Sequence, residues 1–431
     1  MNIIAIDCGA SFIKGALFND SLIVKQLHES APAIDINSDI MNPSHIEALI
    51  AIVRNMIDIL SCGLNDITLT FSNEMHGFIL AHEDGSPFTD YISWQRALCS
   101  SSYIRKNAYG GGGHDFLRDS GMPLRSGLPS CNLSWLSNNV ITDKTGQLYF
   151  YTLGGYLIRR LTGIQPYMHP TNAAATGLYD LTRQDWNHEY ISALGIKAVI
   201  FPEIGTKAIT HGKFCVLPAI GDQQAALLGS GLQDNAALSF NIGTGAQVSR
   251  VIDVPEFGEW QIRPYFGGKY IRTIPHIPSG RALNVYFRFV KGIAERFKAN
   301  AGDPEIWQAI HEAAQNGGSG AGIECDMSFF ENAVTSHTNG SITEIGEYSL
   351  TLDNLMAAVI HSMADNFVRC AERVNTGLCS VESIIFSGGI ANRWPLLVSL
   401  ITEGLGLDVP VCVSENDTLH GCCNYALGLQ A

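Results

Sequence analysis

The chain indicates the same order of strands and helix twice, and this repeat limits the possible folds more than any other feature of the sequence. In the first half, short apolar runs at 3–6, 12–18 and 22–27 predict consecutive hairpin strands. From Ser44 onward apolar residues recur at three- and four-residue steps, which predicts a helix with Ser44 as its N-cap. A further strand is predicted at 67–71, which completes a β-β-β-α-β order.

The second half starts on the same plan. Strands are predicted at 236–242, 246–252 and 269–274, and a helix is predicted from Arg281 to about Phe297. Such alternation predicts an α/β protein with one sheet in each half and with parallel strands after the opening hairpins. The remaining predicted elements are a helix over 352–374, a strand at 383–387, a helix after Asn392, a strand near 409–413 and a closing helix from Thr418.

Size and charge narrow the function classes. The 431 residues are enough for two or three domains with large cores. The net charge of −14, from 27 Lys and Arg against 41 Asp and Glu, opposes binding to nucleic-acid phosphates or to anionic membranes. The expected partner is therefore a small molecule.

Cysteine usage and the apolar runs indicate the compartment. The eleven cysteines are odd in number and lack CxxC spacing, so we expect reduced, mostly buried thiols. The first residues, MNIIAIDCG, lack the basic and apolar regions of a secretion signal. No apolar run approaches the roughly 18 residues that suggest a membrane span. We expect a soluble, cytoplasmic protein.

Two similar turns are candidate phosphate-binding sites. Asp7-Cys8-Gly9-Ala10-Ser11 follows the first strand, and Asn241-Ile242-Gly243-Thr244-Gly245 occupies the equivalent place in the second half. Exposed backbone N–H groups in such turns hold anions, and glycine lets the backbone come close to a ligand. Taken singly, each is better explained as an ordinary β-turn.

Two further segments carry chemistry. In Gly221-Asp222-Gln223-Gln224 a carboxylate follows a buried strand and starts a small-residue helix, where Asp222 is either a proton acceptor or a helix N-cap. Ser387-Gly388-Gly389-Ile390-Ala391-Asn392 lies between a strand and a helix, where its glycines would admit a flat ring.

The four segments together, in this order, resemble the FGGY carbohydrate kinases of the actin and hexokinase superfamily. IAIDCGASFIKGALF resembles the first phosphate motif of that family, SFNIGTGAQVS the second, GDQQAALLG the catalytic-base motif and FSGGIANRWPLL the adenosine motif. The resemblance runs over the entire chain.

A sugar-site segment is also similar to that of the family. Met75-His76-Gly77 and Trp94 match the stretch that xylulokinase- and sedoheptulokinase-like members carry. Outside this context His76 would be read as a core histidine and Trp94 as a packing residue. The sequence departs from the family at Ala10, where Thr or Ser is usual, at Glu74, where Gln is usual, and in Trp94-Gln95-Arg96-Ala97, which lacks an Asp before the Arg.

The resemblance implies two ribonuclease H-like (actin-like ATPase) domains, at 1–231 and 232–431, that enclose a central cleft. It implies ATP and Mg²⁺ as cofactors, with Asp222 as general base and Asp7 holding the metal through water. It implies a sugar site formed by Met75, His76, Gly77, Trp94, Asp222 and Gln223. It implies nucleotide contacts from Asp7, Gly9, Ser11, Lys14, Gly243, Thr244, Gly245, Gly388, Gly389 and Asn392.

The predicted activity is transfer of the γ-phosphate of ATP to a primary hydroxyl of a small sugar. A ketose such as a pentulose or heptulose is favoured by Met75-His76-Gly77, with a glycerol-type polyol or an N-acetylhexosamine as alternative acceptors. A rival from another class is a regulatory or chaperone-like ATPase-fold domain without sugar kinase activity. A homodimer is possible.

Two glycine-rich segments predict motion. Tyr109–His114 (YGGGGH) is either a mobile lid or an ordinary surface loop, and 316–322 is predicted as a second loop. Gly229-Ser230-Gly231 is the predicted hinge between the two domains.

Overall fold

A computed structural model describes residues 1–108, 116–335, 337–414 and 417–428. The predicted lid, Tyr109–His114, lies outside these residues. The first half contains, in chain order, β1 (Asn2–Cys8), β2 (Phe12–Asn19), β3 (Leu22–Ser30), α1 (Ser44–Leu60), β4 (Ile67–Asn73), β5 (Ile79–Ala81), α2 (Ser101–Ala108), α3 (Phe116–Ser120), α4 (Pro129–Asn139), β6 (Leu148–Tyr151), α5 (Leu153–Thr162), α6 (Pro170–Ala174), β7 (Tyr179–Asp180), β8 (Asp185–Trp186), α7 (His188–Ala193), β9 (Val199–Ile200), β10 (Ile209–His211), β11 (Phe214–Val216), β12 (Ile220–Gly221) and α8 (Asp222–Gly229).

The second half continues with β13 (Ala237–Ile242), β14 (Ala246–Ile252), β15 (Gln261–Pro264), β16 (Tyr270–Ile277), α9 (Gly280–Arg296), α10 (Asp303–Asn316), β17 (Glu324–Asp326), β18 (Ser341–Thr343), α11 (Leu352–Asn375), β19 (Ser383–Ser387), α12 (Gly389–Arg393), α13 (Pro395–Leu405), β20 (Val411–Ser414) and α14 (Asp417–Gly428). Short 3-10 turns occupy 266–268 and 320–322, so the glycine-rich stretch at 316–322 connects α10 to β17 as predicted.

The first sheet confirms the predicted hairpins followed by parallel pairing. Its strands lie in the order β10-β11-β4-β1-β2-β3, with β12 also paired to β4. β1 pairs antiparallel with β2 and parallel with β4, so that Asp7 lies opposite both Lys14 and Ser72. β1 is buried on both faces because α1 covers one face and other helices cover the opposite one. The carboxyl ends of β1, β4 and β12 therefore meet at one edge of the sheet.

The second sheet repeats the plan. Its strands lie in the order β15-β16-β14-β13-β19-β20, with β13 parallel to β19 and β19 parallel to β20. The predicted strands at 236–242, 246–252, 269–274, 383–387 and 409–413 are confirmed. Strand β15 is an edge strand of only four residues, too short for an alternating pattern to show in the sequence.

Helix α1 begins at Ser44, but Ser44 is not its N-cap. The cap position is Pro43, which offers no side-chain hydrogen bond. The carboxylate of Asp90 instead accepts hydrogen bonds from the backbone N–H groups of His45 at 3.1 Å and Ile46 at 2.8 Å. The capping group thus comes from a loop far along the chain, where local sequence patterns cannot identify it.

The part of the chain that lies between β4 and β10 in sequence forms a core of its own. Buried residues of β6, α4 and α7, with Phe78 just before β5, form one cluster that includes Leu133, Phe150 and Tyr190, and Ile262 and Tyr270 of the second sheet belong to the same cluster. This inserted part carries Trp94 and the loop at 121–127. It therefore places side chains of the first half beside the second sheet.

The last helix returns to the first sheet. Leu419, Cys422 and Ala426 of α14 pack with Ile3 and Ala5 of β1 and with Ala225 of α8 in one buried cluster. The boundary at residue 231 stays a prediction, and α14 belongs by packing to the first sheet.

Two broad expectations can be compared directly with the structure. All eleven cysteines are free, but only five are buried while three are exposed, so the prediction of mostly buried thiols is wrong for the exposed ones. The exposed cysteines are Cys62, which follows the end of α1, Cys379, which lies between α11 and β19, and Cys412, which is on the edge strand β20. In the described ranges, the helices are all too short or too polar to cross a bilayer.

Candidate active site

Three carboxylates gather where β1, β4 and α8 meet. Asp7 ends β1, Glu74 follows β4, and Asp222 is the first residue of α8. The Asp7 carboxylate accepts a hydrogen bond from Ser72 Oγ at 2.6 Å. Burial raises the pKa of Asp7, while the Ser72 hydrogen bond and the Lys14 charge oppose that rise. The first sheet thus presents a cluster of acids at its carboxyl edge.

Asp222 has the strongest reason to hold a proton near neutral pH. Burial, and then the negative charges of Asp7 and Glu74, raise its pKa to about 7. Its Oδ1 accepts the backbone N–H of Gln223 at 2.8 Å, and Gly221, not Asp222, is the N-cap of α8. The N-cap alternative for Asp222 is therefore wrong. A carboxyl group with this pKa is suited to accept a proton from a hydroxyl group.

Glu74 is buried at the start of the loop that follows β4. Tyr91 Oη donates a hydrogen bond to its Oε1 at 2.7 Å, whereas its Oε2 has no hydrogen-bond partner among the described residues. Burial raises the pKa of Glu74. Gly77 leaves space for the Tyr91 ring, because a Cβ at this position would overlap the tyrosine hydroxyl. The Met75-His76-Gly77 segment thereby fixes Tyr91 against Glu74.

The first predicted phosphate turn connects β1 to β2. The Gly9 N–H donates to Phe12 O at 3.1 Å, which closes the turn, and Ser11 is exposed on it. Lys14 lies directly opposite Asp7 on β2. The turn therefore offers a hydroxyl and an ammonium group beside the carboxylate cluster.

The second predicted turn is braced by the start of α9. Ser279 Oγ and the Gly280 N–H both donate to Gly243 O, at 2.8 and 3.2 Å, and Thr244 is exposed. A Cβ on Gly245 would meet no atom within 4 Å, so open space lies over the turn. This space is where a phosphate group would fit.

The segment predicted to hold adenosine lies against that turn. Gly388 has a φ of +90°, and a Cβ there would come within 2.6 Å of Ile242 O. Open space lies over Gly389, and Asn392 Nδ2 donates to Gly388 O at 3.3 Å. Close packing of β13 on β19 thus places the two glycine segments side by side.

A hydrogen bond joins the two sheets beside Asp222. Gln223 Nε2 donates to Oε1 of Gln247 on β14 at 2.6 Å. Gln247 lies two residues beyond Gly245. The carboxylate cluster and the second glycine turn are therefore at opposite sides of one cleft.

The two residues predicted to read the sugar differ in their surroundings. Both ring nitrogens of His76 meet protein groups: Nδ1 lies 2.7 Å from Ala175 O, and Nε2 lies 3.4 Å from Arg125 Nη2. Trp94 is 52% exposed and lines a cavity of about 640 Å³. Met75 is buried, with its sulfur against Gly221. Of these side chains, Trp94 has the most surface available for a substrate.

Sequence reasoning missed the cationic side of the cleft. Arg125 lies between His76 and His276, and Arg263 is buried nearby. No motif marks these residues, and they come from three distant segments. The sequence signal near Arg125 is the pair of glycines, Gly121 and Gly127, that flank its loop. In the structure their φ angles are +74° and +87°.

We compared the chain with known protein families, relatives and solved structures. The sequence profile described as the FGGY family of carbohydrate kinases, N-terminal domain, matches residues 2–229. The chain belongs to the FGGY family. The match covers the carboxylate cluster, the first glycine turn and the inserted part that carries Trp94.

Among curated relatives, the FGGY chain is similar to glycerol kinase of Arabidopsis thaliana, at 32% identity over 203 residues that cover 43% of this chain and 38% of the relative. It is also similar to xylulose kinase of Staphylococcus xylosus, at 25% identity over 268 residues that cover 56% of this chain and 53% of the relative. The chain thus spans about half or less of the length of these two relatives in the alignments.

Solved structures share the complete fold. Gluconate kinase from Lactobacillus acidophilus superposes with a TM-score of 0.83 at 20% identity, covering 99% of this chain and 89% of the other. Glycerol kinase from Plasmodium falciparum with ADP superposes with a TM-score of 0.80 at 16% identity, covering 100% of this chain and 89% of the other. The predicted fold class, two actin-like ATPase domains, is confirmed.

Proposed function

We propose that this FGGY protein transfers the γ-phosphate of ATP to a primary hydroxyl group of a small sugar or polyol, with Asp222 as general base. The observation that carries the proposal is the position of Asp222. It is a partly buried carboxylate with a pKa of about 7, beside Asp7 and joined through Gln223 to the strand that follows the second glycine turn. Phosphoryl transfer needs positioning, charge neutralisation and an orienting base, and these residues supply all three.

In this proposal, different residues of the cleft accept the proton, bind the phosphates and bind the adenosine. Asp222 accepts the proton of the attacking hydroxyl, since its raised pKa makes it a stronger base than an exposed carboxylate. Thr244 and Gly245 hold phosphate oxygens on the side of the second sheet, and Lys14 and Ser11 face them from the first. Gly388, Gly389 and Asn392 hold the adenosine.

Asp7 fits the magnesium site that the family implies. It supplies a hard oxygen ligand, while the described ranges contain no group of three or more acidic, His or Cys side chains that would enclose a metal. Such a donor set suits Mg²⁺, which keeps several waters and binds substrate phosphates. The ion would supply charge neutralisation at the phosphates when bound.

The acceptor class follows from the relatives and from the motif. Relatives named glycerol kinase and xylulose kinase support a small polyol or a ketose, and Met75-His76-Gly77 favours the ketose. The use of ATP agrees with the cytoplasmic location predicted from the sequence. The homodimer stays a prediction without support from these observations.

The test of the base is Asp222→Asn. We expect kcat to fall about 10²- to 10⁴-fold, as for loss of a general base, with little change in nucleotide affinity. Asp58→Asn, which alters an exposed carboxyl of α1, is the matched control and should keep full activity. Nucleotide binding is measured by calorimetry and turnover by ADP release.

The same variant separates the kinase from the rival class. Asparagine at position 222 removes a negative charge that Asp7 and Glu74 repel. The melting temperature of the Asp222→Asn variant at pH 8 should therefore not fall below that of the native protein. A variant that keeps most of its kcat would remove Asp222 from the mechanism. Binding of ATP without ADP release for any sugar, polyol or sugar acid would favour the regulatory ATPase-fold domain.

A further inference from the structure

A cavity of about 640 Å³ lies between the inserted part and the second sheet, and Trp94, which lines it, also acts on the Glu74 carboxylate. Trp94, Leu124 and Arg125 line it from the first half, and Trp260, His276 and Phe330 line it from the second. It is separate from the glycine turns that face the nucleotide. A ligand in this cavity would contact both halves of the protein.

Arg125 is held at the wall of this cavity by two imidazoles. Its Nη1 donates to His276 Nε2 at 2.8 Å, and its Nη2 lies 3.4 Å from His76 Nε2. The contact of His76 Nδ1 with Ala175 O requires a proton on Nδ1, which leaves Nε2 as an acceptor. Burial and the nearby guanidinium groups lower the pKa of His76 well below its usual range, and that of His276 to about 4. The two rings orient Arg125 but do not neutralise it.

The backbone that carries these residues is constrained. His76 and His276 have φ angles of +66° and +62°, in the left-handed region that ordinary side chains avoid. Gly121 packs on Ile262 O and Gly127 packs on Trp94 O so closely that a Cβ at either position would overlap the carbonyl oxygen. Strained residues that persist in this way concentrate at ligand sites. Close packing at Gly121 and Gly127 therefore restricts the backbone of the loop that carries Arg125.

A second guanidinium lies behind the first. Arg263 is only 3% exposed, its Nη1 lies against the sulfur of Met122, and its Nη2 donates to Gln261 Oε1 at 2.8 Å. Its Nε has no hydrogen-bond partner among the described residues. Burial and Arg125 lower the pKa of Arg263 to about 9, which leaves it charged at pH 7.

These two cations lack a counter-ion in the described ranges. No described carboxylate lies within ion-pair distance of Arg125 or Arg263, and Glu331 acts on Arg125 only from farther away. Buried charges in proteins are normally paired because desolvation of an isolated charge is costly. Arg263 is buried and Arg125 is partly buried, so the site that they form favours an anion as the partner.

We propose that Arg125 binds a carboxylate of the acceptor, and that the substrate is a sugar acid. The proposal rests on the kinase function proposed above. Met75 lies against Gly221, the residue before Asp222, and His76 contacts Arg125, so the Met75-His76 segment connects the proposed base to the guanidinium. The proposal puts the hydroxyl of one extended molecule at Asp222 and its carboxylate at Arg125. A planar guanidinium fork matches a planar carboxylate with two parallel hydrogen bonds. Arg125 is thus a specificity residue, and a keto group elsewhere on the acid remains compatible with the His76 motif.

The test uses matched pairs of five- and six-carbon acceptors, D-ribonate with ribitol and D-gluconate with D-glucitol. Within a pair the two molecules differ only by a carboxylate in place of a hydroxymethyl group. We expect at least one sugar acid to be phosphorylated with a kcat/KM about 100-fold or more above its alditol, since a site built for a polar group strongly rejects an analogue that lacks it. Neutral pentuloses and heptuloses are included in the same ADP-release assay.

Arg125→Met should abolish the preference for the acid by raising its KM while changing kcat much less. Arg125→Lys, which keeps the charge but not the fork, should retain an intermediate preference. Arg288→Met, at an exposed position of α9, is the control and should behave as the native protein. Equal use of acid and alditol, preferential use of a neutral ketose, or an unchanged preference in Arg125→Met would overturn the carboxylate site.

Direct binding separates this inference from the proposed activity. Calorimetry without ATP measures whether D-ribonate or D-gluconate binds the native protein and fails to bind Arg125→Met. Binding of this kind without any ADP release supports the anion site and contradicts the kinase, whereas turnover of neutral sugars alone supports the kinase and contradicts the anion site. Binding of D-ribose 5-phosphate in preference to both acids would show a phosphate site and overturn the carboxylate assignment.

Discussion

The pKa of Asp222 depends on residues that are distant in sequence. The local pattern, a carboxylate after a strand and before a small-residue helix, was enough to predict its place at the end of β12. It could not predict the raised pKa, because Asp7 and Glu74 reach Asp222 only after β1 and β4 have paired in one sheet. The position of Asp222 could thus be predicted from the sequence, whereas its pKa could be obtained only from the folded structure.

The raised pKa gives a pH dependence with a definite sign. A general base works as the carboxylate, so kcat/KM for the sugar should rise with pH up to about 7 and level off above it. A base with the ordinary pKa of an aspartate would give a constant rate from pH 5 upward. The measurement is initial ADP release between pH 5 and 9 at constant ionic strength.

Nucleotide binding should not follow the same profile, because Asp222 does not contact ATP in the proposed site. Calorimetric ATP affinity over this pH range is the control. A rate that stays constant between pH 5.5 and 8 would contradict the raised pKa of Asp222.

The cationic residues show where sequence reasoning ended. Arg125, Arg263 and His276 lie in no repeated or glycine-rich motif, and their backbone and charge environment become visible only when the loop at 121–127 packs beside β15 and β16. By contrast, Gly243, Thr244, Gly388 and Gly389 could be proposed from the sequence because phosphate and ring contacts demand small residues at fixed places in a strand–turn pattern. Chemistry that depends on residue type was predictable, and chemistry that depends on juxtaposition was not.

Among the secondary-structure elements, most strands and helices followed from hydrophobic spacing, and the differences lie at their ends. Helix α1 was expected to be capped by Ser44, but Asp90 satisfies its first N–H groups from another part of the chain. The predicted helix after Asn392 is α13, and the short helix α12 that precedes it was not predicted; the two are separate because Trp394, the residue before Pro395, is not helical. Long-range partners and single prolines thus decide element boundaries.

The contact of α14 with α8, the helix that begins with the proposed base Asp222, depends on one glycine. A Cβ on Gly421 of α14 would overlap the backbone oxygen of Ala225 in α8. Gly421→Ala should therefore push the helices apart, lower the free energy of unfolding by about 1–3 kcal/mol as overpacking does, and reduce kcat by moving Asp222. Urea unfolding and ADP release measure the two effects.

The matched control is Gly428→Ala in the same helix, where an added Cβ would meet no atom within 4 Å. This change should leave kcat unchanged and either preserve or slightly increase stability, because alanine favours helix over glycine. Equal effects of the two substitutions would show that close packing at Gly421 does not position Asp222.

At the scale of the whole molecule, the two sheets form a cleft that must exclude water during transfer. Gln223 and Gln247 already join its two sides. We predict that sugar and a non-hydrolysable ATP analogue together bring the turn at Asp7–Ser11 toward the turn at Gly243–Gly245. The radius of gyration in solution scattering should fall, and hydrogen exchange should slow at both turns.

The predicted hinge at Gly229-Ser230-Gly231 retains a suitable residue, since Gly231 has a φ of +99° and open space around it. Each ligand alone serves as the control and should give a smaller change than the pair. A radius of gyration and exchange rates that stay constant with both ligands saturating would contradict closure and favour a rigid nucleotide-binding protein.

The return of α14 to the first sheet has a consequence for biosynthesis. The ribosome makes β1 and α8 long before it makes residues 417–428, so the apolar face that Leu419, Cys422 and Ala426 later cover is open throughout synthesis of the second half. N-terminal domains commonly fold as units while the rest is translated, but this one emerges with a vacant groove beside its proton acceptor. Nascent chains of this protein therefore expose this apolar face until translation reaches the last helix, and only then can α14 pack against the helix that begins with Asp222.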